Sequence, residues 1–395
     1  MTTTAAHLDP PRTAFLNDPV VRGVIYQIIV AGLVVALFVF ILSNAVQNLV
    51  AQNKTMGFDF LNQVAGFDIF FKLIPYDRAS SYWGAFAVGL LNTLLVAFVG
   101  IILATIWGFI LGIARLSSNL IISWLATIYI ETLRNIPLLL QLYFWYFAVL
   151  KTMPNVKQSF VYFDTFVLNK RGFFVPWPVL DDRFIYAVGA TVVAIVAAFA
   201  VRRWALRRLE ATGKRFPVGW TNLGILIVVP VAGYLLSGSH VTFSIPVLKG
   251  FNYEGGEDLP PELVALVMGL VLYTATFIAE IVRAGILAVN KGQTEAAASL
   301  GLREGDRLRL VVVPQAMRVI IPPLTSQYLN LTKNSSLGAA VGFPELVNVF
   351  AGTALNQTGR AIEIISLTML VYLTFSLGTS ALMNIYNARV ALKER

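Results

Sequence analysis

The chain has 395 residues, of which 57% are hydrophobic and 13% are charged, and its formal net charge is +9. Because a soluble domain carries about 25% charged residues, these values indicate an integral membrane protein and argue against a soluble enzyme. The absence of cysteine, with only His7 and His240 as histidines, argues against disulfides, metal centres and histidine-based catalysis, and we expect no cofactor.

Eight apolar segments, each about long enough to cross a bilayer, follow one another along the chain. The predicted spans are Val24–Ala45, Ala85–Ile113, Leu120–Leu150, Phe184–Val201, Thr221–Leu236, Leu263–Leu287, Leu310–Ala340 and Ile362–Ile385. The third contains Pro137, and the seventh contains Pro314, Pro322 and Pro323, so we expect kinked or broken helices there. The first span is too long for the core of a signal peptide and should be retained. The sequence thus predicts an all-α integral membrane protein.

The distribution of basic residues predicts which side of the membrane each loop occupies. With the segment 1–23 as a cytoplasmic tail, the cytoplasmic segments hold 16 Lys and Arg residues and the outer segments hold 9. Both termini are then cytoplasmic. The densest basic cluster, between the fourth and fifth spans, comprises Arg202, Arg203, Arg207, Arg208, Lys214 and Arg215. We interpret such clusters as signals of orientation and as lipid contacts, and we predict no binding of nucleic acid.

The third predicted span contains charges that are costly inside a membrane and are usually functional. Glu131 and Arg134 lie three residues apart on one helical face and can form an ion pair. Two interpretations remain open. Arg134 or Gln141 lines a path for a solute, or the ion pair locks the kinked helix.

The sixth predicted span contains a second pair with the same spacing, Glu280 and Arg283. We interpret this pair as structural, and the alternative is a gate whose charges exchange partners. Tyr273 and Thr276 lie deeper in the span and are candidates for contact with a solute. Several residues of this span are small, including Ala279, which permits close approach of a neighbouring helix.

The cytoplasmic loop 288–309 contains a short segment that predicts a soluble helix. Thr294 can cap its start, and Glu295 places a negative charge at the positive end of the helix dipole. Alanines, including Ala296 and Ala297, propagate the helix, and Gly301 can adopt the left-handed conformation that ends it. The surrounding basic residues are Lys291, Arg303, Arg307 and Arg309. A short rigid helix at this place is suited to contact a separate protein.

The seventh predicted span ends in four polar residues, Lys333, Asn334, Ser335 and Ser336. Discontinuous helices direct polar groups at ions and zwitterions inside membranes. Lys333 and the two serines can donate hydrogen bonds to a carboxylate, and Asn334 can donate or accept. The alternative is an outer helix cap that never contacts a solute.

No nucleotide-binding motif is present. The pair Gly213-Lys214 lacks the earlier glycine of a phosphate loop, and Arg215 follows where that motif has Ser or Thr. We therefore expect that the chain is not an enzyme and that any ATP hydrolysis takes place in a partner subunit.

Four stretches together resemble the permease subunits of bacterial ABC importers for polar amino acids. The loop carries the family's signature residues Glu295, Ala296, Ala297, Gly301, Val311, Val313 and Pro314. Three further stretches, in the third, sixth and seventh predicted spans, resemble segments of the same permeases. They begin at Glu131, Tyr273 and Thr332. Two departures exist: Asn135-Ile136 replaces a Gly-Thr pair, and Asn334 stands where permeases for cationic amino acids have an acid. The latter suggests a broader choice of substrate.

The resemblance implies a type I ABC importer core of five transmembrane helices, in 80–150 and 262–390. The additions are a span at 24–46 and, at 151–261, periplasmic loops with an inserted transmembrane hairpin, as in the longer permeases of general L-amino-acid transporters. It also implies an inner-membrane location, two ATPase copies, a second related permease and a periplasmic amino-acid-binding protein. Contact with the ATPase is expected at Glu295, Ala296, Ala297, Gly301 and Arg303. The rival hypotheses are a secondary transporter that uses no ATP and a scaffold that only anchors an ATPase.

Overall fold

A computed structural model describes residues 19–51, 57–214, 216–238 and 240–390 of the chain. Helices dominate this part. The α-helices are α1 (Pro19–Ala51), α2 (Tyr82–Arg115), α3 (Leu120–Asn135), α4 (Leu138–Tyr143), α5 (Phe184–Thr212), α6 (Val218–Ser237), α7 (Pro261–Leu287), α8 (Lys291–Ser299), α9 (Glu304–Arg307), α10 (Val313–Asn334), α11 (Leu355–Thr358) and α12 (Ala361–Val390).

The helices account for all eight predicted spans. Within the described residues, seven helices are long and apolar enough to cross a membrane, and a bent pair formed by α3 and its continuation supplies an eighth. This confirms the predicted helical membrane protein with its five-helix core, extra first span and inserted hairpin. Most of the predicted tail at 1–23 lies outside the described residues, since α1 begins at Pro19.

The third span is broken where the sequence predicted a kink or break. α3 ends at Asn135, and α4 begins after Pro137 at an angle of 104° to it, continuing as a π-helical turn over Phe144–Leu150. The seventh span instead remains continuous from Glu304 to Val341, although it contains two internal prolines. Two segments of other helix type flank α10. A π-helical turn at Leu308–Val312 precedes it, and a 3₁₀ helix at Ser335–Val341 follows it.

The core is built around the contact between α2 and α7, which glycines bring close together. A Cβ at Gly108 would lie 2.6 Å from the Cβ of Ile278, and one at Gly112 would lie 2.7 Å from the carbonyl oxygen of Ala279. Only a residue without a side chain fits at such a crossing. α10 packs against the same pair of helices through an apolar cluster that includes Ile278, Ile320 and Leu331.

The insert at 151–261 contains short strands as well as the hairpin, although the sequence predicted only loops there. The strands are β1 (Phe160–Tyr162), β2 (Phe166–Asn169), β3 (Gly172–Val175), β4 (Trp177–Leu180), β5 (Val241–Ser244), β6 (Val247–Lys249), β7 (Asn252–Glu254) and β8 (Glu257–Leu259). They form antiparallel sheets in the orders β1-β2-β3-β8, β4-β5 and β6-β7. The sheet lies beside the start of α7, because β8 leads directly into that helix.

The inserted hairpin and α1 are much less buried than the core. α5 and α6 pack against each other, with Asn222 donating a hydrogen bond to the carbonyl of Ala198. No residue of α6 is buried, and most of the described apolar side chains of α1, such as that of Phe38, are exposed. These helices therefore present their apolar surface to lipid or to other chains.

Candidate functional site

The predicted loop helix is present as α8, and it begins earlier than the sequence suggested. The prediction that Thr294 caps this helix is wrong, because α8 starts at Lys291 and the side chain of Asn290 accepts a hydrogen bond from the backbone N–H of Gly292 at 2.8 Å. Asn290 is itself a favoured capping residue, so the sequence contained this signal.

The end of α8 follows the prediction. Gly301 has a φ of +76°, and the N–H of Leu302 donates to the carbonyl of Ala297 at 3.2 Å. This bond pattern and the left-handed glycine are those of a Schellman motif. Ala297 is buried, whereas Leu300 next to the end of the helix is 82% exposed. The helix is therefore rigid at both ends and carries an uncovered apolar side chain.

Four of the other predicted residues belong to one network of charges that joins three helices. The i,i+3 pairs are both present, with Arg134 Nη2 at 3.5 Å from Glu131 Oε2 and Arg283 Nη1 at 3.6 Å from Glu280 Oε2. Arg115, at the end of α2, joins them: its Nη2 lies 3.0 Å from Glu131 Oε1, and its Nη1 binds Glu280 Oε1. The side chain of Arg115 is only 16% exposed, so this residue is the centre of the network.

Gln141 lies at the break of the third span. Its Nε2 donates to the carbonyl of Leu133 at 2.7 Å and to that of Ile136 at 3.0 Å. Both carbonyls belong to the end of α3, where a helix leaves acceptors without intrahelical partners. The side chain is 4% exposed, and its Oε1 has no hydrogen-bond partner among the described residues. Its predicted place on a substrate path stays a prediction.

The structure places the two candidate residues of the sixth span inside the core. Thr276 is fully buried, and its hydroxyl donates to the carbonyl of Tyr273 at 2.7 Å. Tyr273 is partly buried and packs edge-on against Phe277. The contact of these two residues with a solute remains a prediction. Neither of them lines a cavity that the structure has between the end of α10 and α12.

That cavity has a volume of about 530 Å³ and lies between the end of α10 and α12. It is lined by Lys333, Ser336, Val347, Thr368, Met369, Tyr372, Leu373 and Ser376. Lys333 is exposed, and its ammonium group has no ion-pair partner in the part of the chain that the structure describes. Among the described residues, no carboxylate lines the cavity and Lys333 supplies the one formal charge.

The four polar residues of the seventh span thus separate into two groups. Lys333 and Ser336 line the cavity, whereas Ser335 is fully buried and donates to the carbonyl of Thr332 at 2.7 Å. Asn334 is partly buried and is not among the lining residues. The structure therefore brings together two of the four.

A buried carboxylate that the sequence analysis missed supports one wall of this cavity. Glu345 is fully buried and accepts hydrogen bonds from the N–H groups of Val347 at 2.8 Å and Asn348 at 2.7 Å, so it caps the π-helical segment Val347–Ala354. The hydroxyl of Tyr372, which lines the cavity, donates to Glu345 at 3.3 Å. An acid in the apolar sequence before the eighth span was a signal that could have identified it.

Comparison with known proteins agrees with this architecture. Residues 104–392 match the family described as binding-protein-dependent transport system inner membrane component. The chain is 49% identical to a candidate amino-acid ABC transporter permease protein of Escherichia coli, YhdX, over 96% of both chains. It is 48% identical to the general L-amino acid transport system permease protein AapQ of Rhizobium johnstonii, over 96% of this chain and 94% of that protein.

A third relative matches over an even larger share of its length. It is the glutamate/glutamine/aspartate/asparagine transport system permease protein BztB of Rhodobacter capsulatus, 42% identical over 98% of this chain and 99% of that protein. These matches confirm the resemblance that the loop and the span motifs predicted. The chain therefore belongs to the family of binding-protein-dependent transport system inner membrane components, and it has the type I ABC permease fold.

Proposed function

We propose that the chain is the permease subunit of an ATP-driven, binding-protein-dependent importer of L-amino acids with broad specificity. It works in the bacterial inner membrane with both termini in the cytoplasm. The observation that carries this proposal is α8: a helix stabilised at both ends, surrounded by basic residues and carrying an exposed Leu300. An apolar side chain left in water next to a rigid helix is suited to a cleft in a partner protein.

The partners are two copies of an ATPase, a second related permease and a periplasmic amino-acid-binding protein. An ATPase is required because this chain lacks a phosphate loop. Glu295, Ala296, Ala297, Gly301 and Arg303 form its contact surface, and all of them except Ala297 are exposed. A second permease closes the cavity at Lys333, which one chain leaves open on one side.

The proposed mechanism is alternating access. The span from Glu304 to Val341 is one continuous rod that begins beside α8 and carries Lys333 and Ser336 near its other end. When the ATPases close on ATP, movement of α8 passes along this rod to the cavity. The network centred on Arg115 joins α2, α3 and α7 on the same side and moves them together. Because the ATPases and the binding protein each favour one state, the two states interconvert during the cycle.

The cavity offers a cation for the carboxylate of an amino acid and oxygen acceptors for its ammonium group. Lys333 provides the cation. The O–H groups of Ser336, Thr368 and Tyr372 donate to the carbonyls of Lys333 and Ile364 and to Glu345, which leaves their oxygens as acceptors. In the part of the chain that the structure describes, no acid lines the cavity to select a cationic side chain, which supports a broad choice of substrate. The transport activities named for AapQ and BztB support amino acids as the substrate class. Arg134, Gln141, Tyr273, Thr276, Asn334 and Ser335 complete the proposed path around it.

A single substitution on α8 tests the coupling. Leu300→Asp places a charge on an 82% exposed side chain and so leaves the fold unchanged, and we expect it to abolish co-purification of the ATPase and ATP-dependent uptake. Gly301→Asp should have the same effect. The matched control is Phe163→Asp, because Phe163 is 90% exposed on the opposite, sheet-bearing side. Retention of the ATPase by Leu300→Asp would disprove the assignment.

The rival hypothesis, an ATP-independent secondary transporter, predicts that amino-acid uptake into proteoliposomes persists without any ATPase. The substrate site has a separate test. Combined Lys333→Ala and Asn334→Ala changes should abolish uptake while ATPase co-purification remains, and competition among amino acids for ATPase stimulation in the complete complex measures the specificity. Unchanged uptake in the double variant would move the substrate site elsewhere and leave the coupling assignment intact.

A further inference from the structure

The turn between α5 and α6 concentrates positive charge that nothing in the described chain neutralises. The last three turns of α5 carry Arg202, Arg203, Arg207 and Arg208, and Lys214 follows in the turn. All five side chains are exposed, and none takes part in an ion pair in the described part of the chain. Glu210 is the only acid between residues 202 and 220.

Aromatic contacts hold this turn in one arrangement. The rings of Trp204 and Phe216 meet edge-on with their centroids 5.2 Å apart. The guanidinium of Arg208 lies over both rings, 5.2 Å from the centroid of Trp204 and 5.9 Å from that of Phe216. Cation–π contacts of this kind fix the side chain of Arg208 and tie the end of α5 to the chain that follows it. The backbone that carries the basic residues is therefore held in place before any binding.

The surroundings of the hairpin indicate what neutralises the charge. α5 and α6 both have membrane-spanning length, and no residue of α6 is buried, so lipid surrounds most of the pair. Trp204 and Trp220 are 50% and 80% exposed at the charged end. Tryptophan concentrates at the level of lipid headgroups, and clustered Lys and Arg beside a span attract anionic lipid. A free soluble anion would need no aromatic residues at this depth.

We propose that the turn between α5 and α6 binds the phosphate headgroup of anionic phospholipids. The exposed guanidinium groups of Arg202, Arg203 and Arg207 contact the phosphate, and Trp204 and Trp220 lie among the headgroups. Arg208, stacked on Trp204 and Phe216, holds the turn in place next to them. The inserted hairpin thereby selects the lipid around this permease, a role that is independent of the proposed transport function.

The chain contains no cysteine, so a single Thr212→Cys change gives one labelling site on α5 beside the basic surface. We would attach a fluorophore there in the full-length chain, reconstituted in nanodiscs. Quenching would be measured with headgroup-spin-labelled phosphatidylglycerol and with the matching phosphatidylcholine. We expect the anionic lipid to reach half-quenching at a mole fraction at least tenfold lower, since each basic residue near a membrane surface contributes about fivefold.

Two triple variants decide the assignment. Arg202→Gln, Arg203→Gln and Arg207→Gln together should remove the preference, whereas Arg202→Lys, Arg203→Lys and Arg207→Lys should keep it because the charges remain. The control removes three charges from the sheet side, Lys157→Gln, Lys170→Gln and Arg171→Gln, and should leave the preference unchanged. Accessibility of Cys-labelling at residue 212 from each side of sealed vesicles checks that the hairpin keeps its orientation.

Several results would overturn the proposal. Equal quenching by both lipids in the unaltered chain is one, and a preference that survives the Gln variant is another. Loss of the preference in the Lys variant would contradict attraction by charge. If inorganic phosphate at 10 mM, the concentration chosen for this test, abolished the preference, the surface would be a soluble-anion site instead of a lipid site.

Discussion

In the permease core, Gly108 and Gly112 let α2 and α7 approach until an added Cβ would touch the neighbouring helix, whereas α6 of the inserted hairpin buries none of its residues. The two regions also differ in whether their charged side chains form ion pairs. The core pairs its charges across helices, as Arg115 does with Glu131 and Glu280, while the end of α5 leaves its arginines exposed. The comparison indicates that packing within the chain restrains the core helices more than it restrains the hairpin.

The largest expected effect breaks the close packing of the core. Gly112→Val would place side-chain atoms against the carbonyl of Ala279 and the side chain of Val282, and we expect a loss of about 3 kcal/mol in stability. The same change in the hairpin, Gly224→Val, has nothing within 4 Å of its added Cβ and should be neutral. Thermal unfolding of the detergent-solubilised chain measures both. Equal destabilisation by the two changes would contradict the comparison.

The next effect concerns the buried acid of the core. Glu345→Ala removes the acceptor for the N–H groups of Val347 and Asn348 and should lower stability by about 2 kcal/mol. Glu345→Gln keeps one acceptor oxygen and a similar shape, so its cost should be smaller. Melting temperatures of the two variants provide the measurement, and an Ala variant no less stable than the Gln variant would show that the cap contributes little.

The third effect, smaller again, concerns ion pairs. The charge network of the core should contribute more to stability than an exposed ion pair in the insert. Arg115→Ala leaves two glutamates without their shared partner and should cost about 1–2 kcal/mol, less than for a fully buried pair because Glu131 is 42% exposed. Lys249→Ala removes an ion pair to Glu254 that is more than 60% exposed on both sides, and it should cost less than about 0.5 kcal/mol. Thermal unfolding at low and high salt separates them, since only the exposed pair is strongly screened.

The smallest expected effect concerns Asp258, a carboxyl group of the insert. Burial raises the pKa of Asp258 from 3.8 to about 6, and the nearby Glu257 and Glu262 add to this while Arg171 opposes it. Because the folded state holds this proton more tightly, the contribution of Asp258 to stability is present below pH 4 and is lost as the pH rises through 6.

Asp258→Asn should therefore stabilise the insert at pH 7.5 and remove its stability change between pH 4 and 6. Asp258 is exposed by more than a third, so solvent screening limits the effect to less than about 1 kcal/mol. Protection factors of the amides of β3 and β8, which pair through Phe174 and Asp258, measure it when each exchange rate is divided by the intrinsic rate at the same pH. Higher protection of the unaltered chain at pH 7.5 than at pH 5 would contradict the assigned direction.

Local patterns in the sequence were enough to predict the spans, the α8 helix and the two i,i+3 ion pairs, because these depend on residues close together in the chain. Arg115 was missed, since its partners lie 16 and 165 residues away and only packing brings them together. Gln141 was assigned to a substrate path, but the hydrogen bonds that it donates follow from the angle between α3 and α4, which no pattern specifies. The strands of the insert were missed because each has only three or four residues.

The interruption at Ile136 and Pro137 has a mechanical consequence. α3 has 16 residues and is about 24 Å long, so it ends before it has crossed a hydrocarbon layer of about 30 Å. Bending an intact helix at that depth would expose carbonyl groups to lipid, at a cost of several kcal/mol. Here the Gln141 amide, on the arm after Pro137, holds the carbonyls of Leu133 and Ile136, so hydrogen bonds close the joint and a change in its angle would break them.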